Sequence, residues 1–245
     1  MSNKKKQYLQ QLFTNTYILD IKERYDIRND DDLEELINVI ASSIGGLTNP
    51  TKIANTFSST KQSNISKDTI KYAGIKADKG NIVFEYRNEQ GDHISNKFRP
   101  ARKVDKGELK MWFEKDTNIN TLFNMDKVNP GEPVLICEGE FDCLSAIESG
   151  FKNAVSIPSG VNSTNEWLTT NWTFLEQFEE IIIWFDNDEA GVKGAREVFN
   201  RLPNSTVKIV RCEVANDINE LLHKYGKLAV LKQIEKASTP MLEGV

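Results

Sequence analysis

Cysteine is scarce in this chain and histidine scarcer. The three cysteines, Cys137, Cys143 and Cys212, form no Cys-x-x-Cys pair, and the only histidines are His93 and His223. A zinc ribbon or finger cannot be assembled from so few ligands, so no zinc is expected. An odd, sparse cysteine count suits a reducing cytoplasm. No stretch approaches the roughly 20 apolar residues of a membrane span. The basic start, Met1-Ser2-Asn3-Lys4-Lys5-Lys6, is not followed by the apolar core of a signal peptide. A membrane partner is therefore not expected. A phosphate-binding Gly-x-x-x-x-Gly-Lys-Ser/Thr loop is also missing. The net charge of −5 over 245 residues argues against a general nucleic-acid coat, while leaving room for a local basic groove.

What the chain does have is one organising stretch, Glu180-Ile181-Ile182-Ile183-Trp184-Phe185-Asp186-Asn187-Asp188-Glu189-Ala190-Gly191. Its unbroken apolar run reads as a strand buried on both faces, as in a parallel sheet. Side chains at i and i+2 of a strand share a face, so Asp186 and Asp188 are expected to aim at one point. An amphipathic helix follows, marked by Ala190, Ala195, Val198, Phe199 and Leu202. The two acids thus sit at the carboxyl end of a strand, where open α/β sheets place ligands. Converging carboxylates repel unless a cation neutralises them, and an all-oxygen donor set suits Mg²⁺ or Mn²⁺.

The expected organisation has four parts. Residues 1–72 read as helical, with a start at Asp30-Asp31-Asp32, a stop at Gly45-Gly46 and a second cap at Ser66. Three short helices fit a helix-turn-helix, or equally a small packing module without DNA contact. Residues 73–130 read as β-rich: a strand from Asn81 to Arg87, a turn at Gly91, and a return strand from His93 to Arg99. Lys97 and Arg99 share a face there, and Arg102, Lys103, Lys106 and Lys110 follow. Interleaved Phe98, Trp112 and Phe113 suit either base stacking or core packing. Residues 131–237 alternate strand and helix, the pattern of a parallel sheet with crossover helices. Residues 238–245 read as a linker or tail.

Acids recur at the strand-to-helix junctions of the third part: Glu138 with Glu140 and Asp142, Asp186 with Asp188, and Asp217. In one parallel sheet these junctions share an edge, so Glu138, Asp186, Asp188 and Asp217 are candidates to surround one or two divalent ions. Each acid alone is equally a candidate helix cap.

The two stretches Cys137-Glu138-Gly139-Glu140-Phe141-Asp142 and Asp186-Asn187-Asp188-Glu189-Ala190-Gly191 resemble the two motifs of the Toprim domain. Bacterial-type primases, topoisomerases and some nucleases share that domain. Over about 65–237 the chain is most similar to phage primase–helicases of the T7 type. Ile65 to Gly74, the 86–99 hairpin and Asn216-Asp217-Ile218-Asn219-Glu220 extend the match. The resemblance implies templated joining of ribonucleoside triphosphates into a short RNA primer on single-stranded DNA. Glu138 would be a metal ligand or general base; Asp186, Asp188 and Asp217 would hold Mg²⁺ (or Mn²⁺). Lys97 and Arg99, with Lys103 and Lys110, would contact nucleotide or DNA. It further implies a replicative helicase as partner and the cytoplasm of a bacterial host, in a phage or mobile-element setting. The family's zinc ribbon and helicase domain have no counterpart here, so sequence-specific initiation by this chain alone is not expected. A Toprim nuclease and a non-catalytic replisome adaptor are the competing readings. The first 70 or so residues separately resemble the winged-helix tail of prokaryotic AAA-type ATPases.

Overall fold

A computed structural model describes residues 49–240, apart from 62, 106, 116, 118, 161–165 and 203–205. The chain divides into two compact units, Met1–Gly46 and Leu47–Val245. All described residues belong to the second, so the winged-helix resemblance falls mostly outside them. Of residues 1–72, those described carry two helices, α1 (Pro50–Lys61) and the start of α2 (Lys67–Ala73). Ser66 caps α2, its hydroxyl accepting from the Thr69 N–H, and Gly74 ends it in the left-handed conformation.

An antiparallel sheet follows in the order β1 (Lys76–Asp78), β2 (Asn81–Arg87), β3 (His93–Pro100), β4 (Trp112–Phe113). Alternation decides its faces. Ile82, Phe84 and Tyr86 of β2 point into the core, and across from them Ser95, Lys97 and Arg99 of β3 share that side. Gly91, at a φ of +85°, makes the turn that joins the two strands.

The second sheet is parallel and built from β5 (Val134–Cys137), β6 (Ala154–Ser156), β7 (Glu180–Trp184) and β8 (Thr206–Ile209), in the order β6-β5-β7-β8. Its helices are α3 (Glu140–Ser149), α4 (Glu166–Thr170), α5 (Trp172–Leu175), α6 (Glu189–Arg201), α7 (Ile218–Tyr225) and α8 (Lys227–Glu235). Both sheet faces are covered, which is why the central strands β5 and β7 carry near-continuous apolar runs. Leu135, Cys137, Ile182 and Trp184 pack with α3, α7, α8, α1, α2 and the antiparallel sheet. Val134, Ile136, Ile181 and Ile183 pack with α4, α5 and α6. The chain leaves β5 toward β6 and later returns to β7 on β5's other side. The strand order therefore reverses between β5 and β7, and crevices open at such a switch point.

Ser238, where the tail was expected to leave the fold, still exchanges two backbone hydrogen bonds with Ile209 of the edge strand β8. Among the described residues no helix is long and apolar enough to cross a membrane.

A buried carboxylate fastens α2 to the parallel-sheet unit. Glu148 of α3 accepts from the Ser66 N–H (2.9 Å), the Ser66 hydroxyl (2.7 Å), the Thr69 hydroxyl (2.5 Å) and the Lys227 ammonium (2.6 Å). Burial opposes its ionisation, but these donors, Lys227 foremost, win and hold its carboxyl below the ordinary value. A depressed acid contributes stability above its unfolded value, about 4.3, and loses it as pH falls through the folded one. Glu148→Gln is thus expected to melt below wild type at pH 7 and to close the gap as the pH falls through the folded value of the acid. A constant gap across that range in thermal scans would contradict the assignment.

Candidate metal and nucleotide site

Two junctions straddle the switch point. Glu138 follows the last residue of β5, and Asp186 lies two residues beyond the end of β7. The Asp186 N–H donates to Glu138 Oε2 at 3.3 Å, so the two acids share one edge, as expected. Gly160, in the loop after β6, closes on the other side; a Cβ there would stand 3.2 Å from Glu138 Oε1.

The remaining acids arrive on helix N-termini. Asp217 caps α7, its Oδ1 accepting from the Glu220 N–H at 2.6 Å. Asn187 brings that loop in: its N–H donates to Asn216 O (2.8 Å) and its side-chain amide to Cys212 O (2.9 Å). Asp142, in the first turn of α3, accepts from the Asn219 N–H at 3.2 Å and so ties α3 to α7. The N-termini of α3, α6 and α7 all face this cluster, and their positive ends offset part of its charge.

One sequence-based expectation needs correction. Asp186 and Asp188 do not alternate along a strand, because β7 ends at Trp184. Asp188 is instead the cap of α6, with Oδ1 accepting from the Gly191 N–H at 2.8 Å. Of the Glu138, Glu140 and Asp142 group, Asp142 joins the acidic cluster and Glu140 does not. Positions i and i+2 of a helix point nearly opposite ways. Glu140 accordingly turns to the antiparallel sheet, where it meets Tyr86 and Lys97. That divergence was readable from the spacing once α3 was placed; the clamping role of Asn187 had no such signal.

The electrostatics are those of crowded like charge. Burial, then Glu138, Asp217 and Asp188, push the Asp186 carboxyl up to about 7. Burial and the charges of Asp217, Asp186 and Glu138 raise Asp142 well above its ordinary value. Among the described residues no three acidic, His or Cys side chains form a ready-made cation cage. The donors nonetheless fit a hard cation that keeps its waters and takes only one or two carboxylates alongside phosphate oxygens.

The basic candidates divide. Lys97 Nζ is paired with Glu140 Oε1 (2.6 Å), donates to Pro158 O (2.8 Å) and lies 5.2 Å from the Phe113 ring centre. Arg99 lies over the Phe141 ring at 5.0 Å, at the start of α3. Lys103 and Lys110 are exposed on the connection between β3 and β4, where Arg102 forks onto Glu108 at 2.7 and 2.8 Å. Phe98 and Trp112 stack on the sheet's outer face.

The alternating strands and acid-tipped junctions match a family model described as Toprim-like, over residues 135–222. A DNA helicase/primase of Enterobacteria phage T3 is 29% identical over 198 residues, 74% of this chain but 32% of that protein. The chain therefore spans about a third of that relative's length. The crystal structure of the primase fragment of the bacteriophage T7 primase–helicase superposes with a TM-score of 0.61 at 28% identity, covering 71% of this chain and 72% of that one. T7 primase domains bound to an RNA/DNA hybrid and dTTP, in contact with the T7 lagging-strand DNA polymerase, superpose at 0.63 and 28% identity. That match covers 73% of this chain and 91% of the other. Both superpositions extend beyond residues 135–222.

Proposed function

We propose that this chain is a primase-type polymerase unit that joins ribonucleoside triphosphates into short RNA primers on single-stranded DNA, with Mg²⁺ as its cation. The observation that carries this is the meeting of Glu138 with Asp186 across the switch point, with Asp142 and Asp217 adding charge and Lys97 and Arg99 on the adjoining sheet. Mg²⁺ bound there supplies charge neutralisation for the triphosphate and lowers the cost of an attacking oxyanion. Glu138, at the crevice wall, is placed to hold the cation or take the proton of an attacking hydroxyl. Asp186 and Asp217 hold the cation side, with the Asp188 carboxylate anchored on α6. Lys97 and Arg99 face the triphosphate. Lys103 and Lys110 follow the template backbone, and a replicative helicase is the natural partner. The three buried free thiols suit the reducing interior of a bacterial host.

Incubating the full chain with single-stranded DNA, labelled ribonucleotides and Mg²⁺ tests the reading. Extension products support it. Shortened DNA favours a Toprim nuclease, and binding without either product favours a replisome adaptor. Lys103→Ala and Lys110→Ala should each weaken template binding at every sequence and flatten the plot of log affinity against log salt by about 0.7. An unchanged slope in both variants removes that stretch from the DNA path.

A further inference from the structure

Behind the acidic edge runs a second, buried polar chain. Tyr86 is fully buried, its ring wedged against Phe113 (5.2 Å) and Phe123 (5.7 Å). Its hydroxyl donates to Glu140 Oε1, the same oxygen that pairs with Lys97 Nζ. Glu140 is only 2% exposed and sits in the first turn of α3, where a negative charge is favoured. Lys97, its side chain 11% exposed, spends a second N–H on Pro158 O. Two residues further along that loop, Gly160 closes against Glu138. The ammonium is therefore fixed one loop's width from the acidic cluster, with no third hydrogen-bond partner among the described residues.

A free lysine carries roughly 2 kcal/mol of rotamer entropy that phosphate binding would have to overcome. Here folding has already immobilised it. The immobilising part is Glu140, and Glu140 in turn needs a fixed donor, because a buried carboxylate with one partner can swing. The locked Tyr86 hydroxyl is that donor. We propose that Tyr86 is a positioning residue for triphosphate binding: through Glu140 it aims the Lys97 ammonium at the phosphates of an incoming nucleotide. This rests on the reading of Lys97 as a phosphate contact.

A double-mutant cycle tests it, using inorganic triphosphate with Mg²⁺ as the probe and the full chain throughout. Tyr86→Phe should weaken triphosphate binding about tenfold to a hundredfold, the worth of one hydrogen bond to a charged group. The same change on a Lys97→Ala background should cost nothing further, since Tyr86 acts only through Lys97. Equal losses on both backgrounds, or no loss on either, overturn the proposal. If Tyr86→Phe does not fold, Glu140→Gln takes its place in the cycle with the same expected coupling. Primer extension measured alongside separates the two readings. A coupled cycle without extension keeps Tyr86's role and removes the primase assignment; extension with an additive cycle does the reverse.

Discussion

Asp186→Asn should make the metal-free protein more stable and the magnesium-loaded protein inactive. Asp186 is a crowded acid of the edge, its proton held up to about 7 by burial and by Glu138, Asp217 and Asp188. A raised acid disfavours the fold as pH climbs from its unfolded value, near 4, through its folded one. In EDTA the amide should therefore raise the melting temperature most above pH 7, less at pH 5, and hardly at all near pH 3, where the acid is protonated in the folded and unfolded states alike. Discounted for solvent screening, the gain is on the order of 1 kcal/mol, or about 2–4 °C for a chain of this size. Mg²⁺ should stabilise wild type and leave the variant unmoved. Extension should drop about a thousandfold, the scale of several kcal/mol of lost charge stabilisation. A variant that melts lower in EDTA at pH 8 would show that the repulsion is not there, and one that still responds to Mg²⁺ would remove Asp186 from the cation site.

Gly191→Ala should be the most damaging single methyl. The first turn of α6 passes so close to the Asp186 backbone that a Cβ at 191 would overlap the Asp186 carbonyl oxygen and stand 2.9 Å from its carbon. Backbone cannot step aside as a side-chain tip can. The expected loss is about 3 kcal/mol or more, roughly a 6–12 °C fall in melting temperature. Any folded fraction should also have lost its Mg²⁺ response, since Asp186 must move. Gly139→Ala is the control, because its Cβ would meet only the Asp142 carboxylate, at 3.2 Å. It should disturb the site while sparing the fold. Equal melting of the glycine-191 variant and wild type would mean that the strand-to-helix junction is looser than drawn.

Much of this site was legible because local rules and the topology agree. An apolar run tipped with acids is visible at Ile181–Asp188 and again at Val134–Glu138, and parallel pairing then brings the two tips together. The hairpin from Asn81 to Arg99 was equally plain from its alternation and from Gly91. What stayed hidden depends on contacts distant in sequence. Lys97 reads from its basic neighbours as a nucleotide or DNA contact; 43 positions away, Glu140 also makes it one arm of a buried ion pair. Asp142 reaches the cluster through Asn219, 77 positions on, which no local pattern announces. Asp188 was read as Asp186's partner on a strand that stops two residues before Asp186, and the resemblance to known motifs did not reveal its cap geometry.

We propose that Glu138 and Asp186 together hold one divalent cation at the switch point between β5 and β7. Crystals soaked in Mn²⁺ and measured at the manganese absorption edge test this without any assay of turnover. An anomalous peak between the Glu138 and Asp186 carboxylates, lost in Asp186→Asn, is expected. Manganese elsewhere on the protein, with that crevice blank, would contradict it.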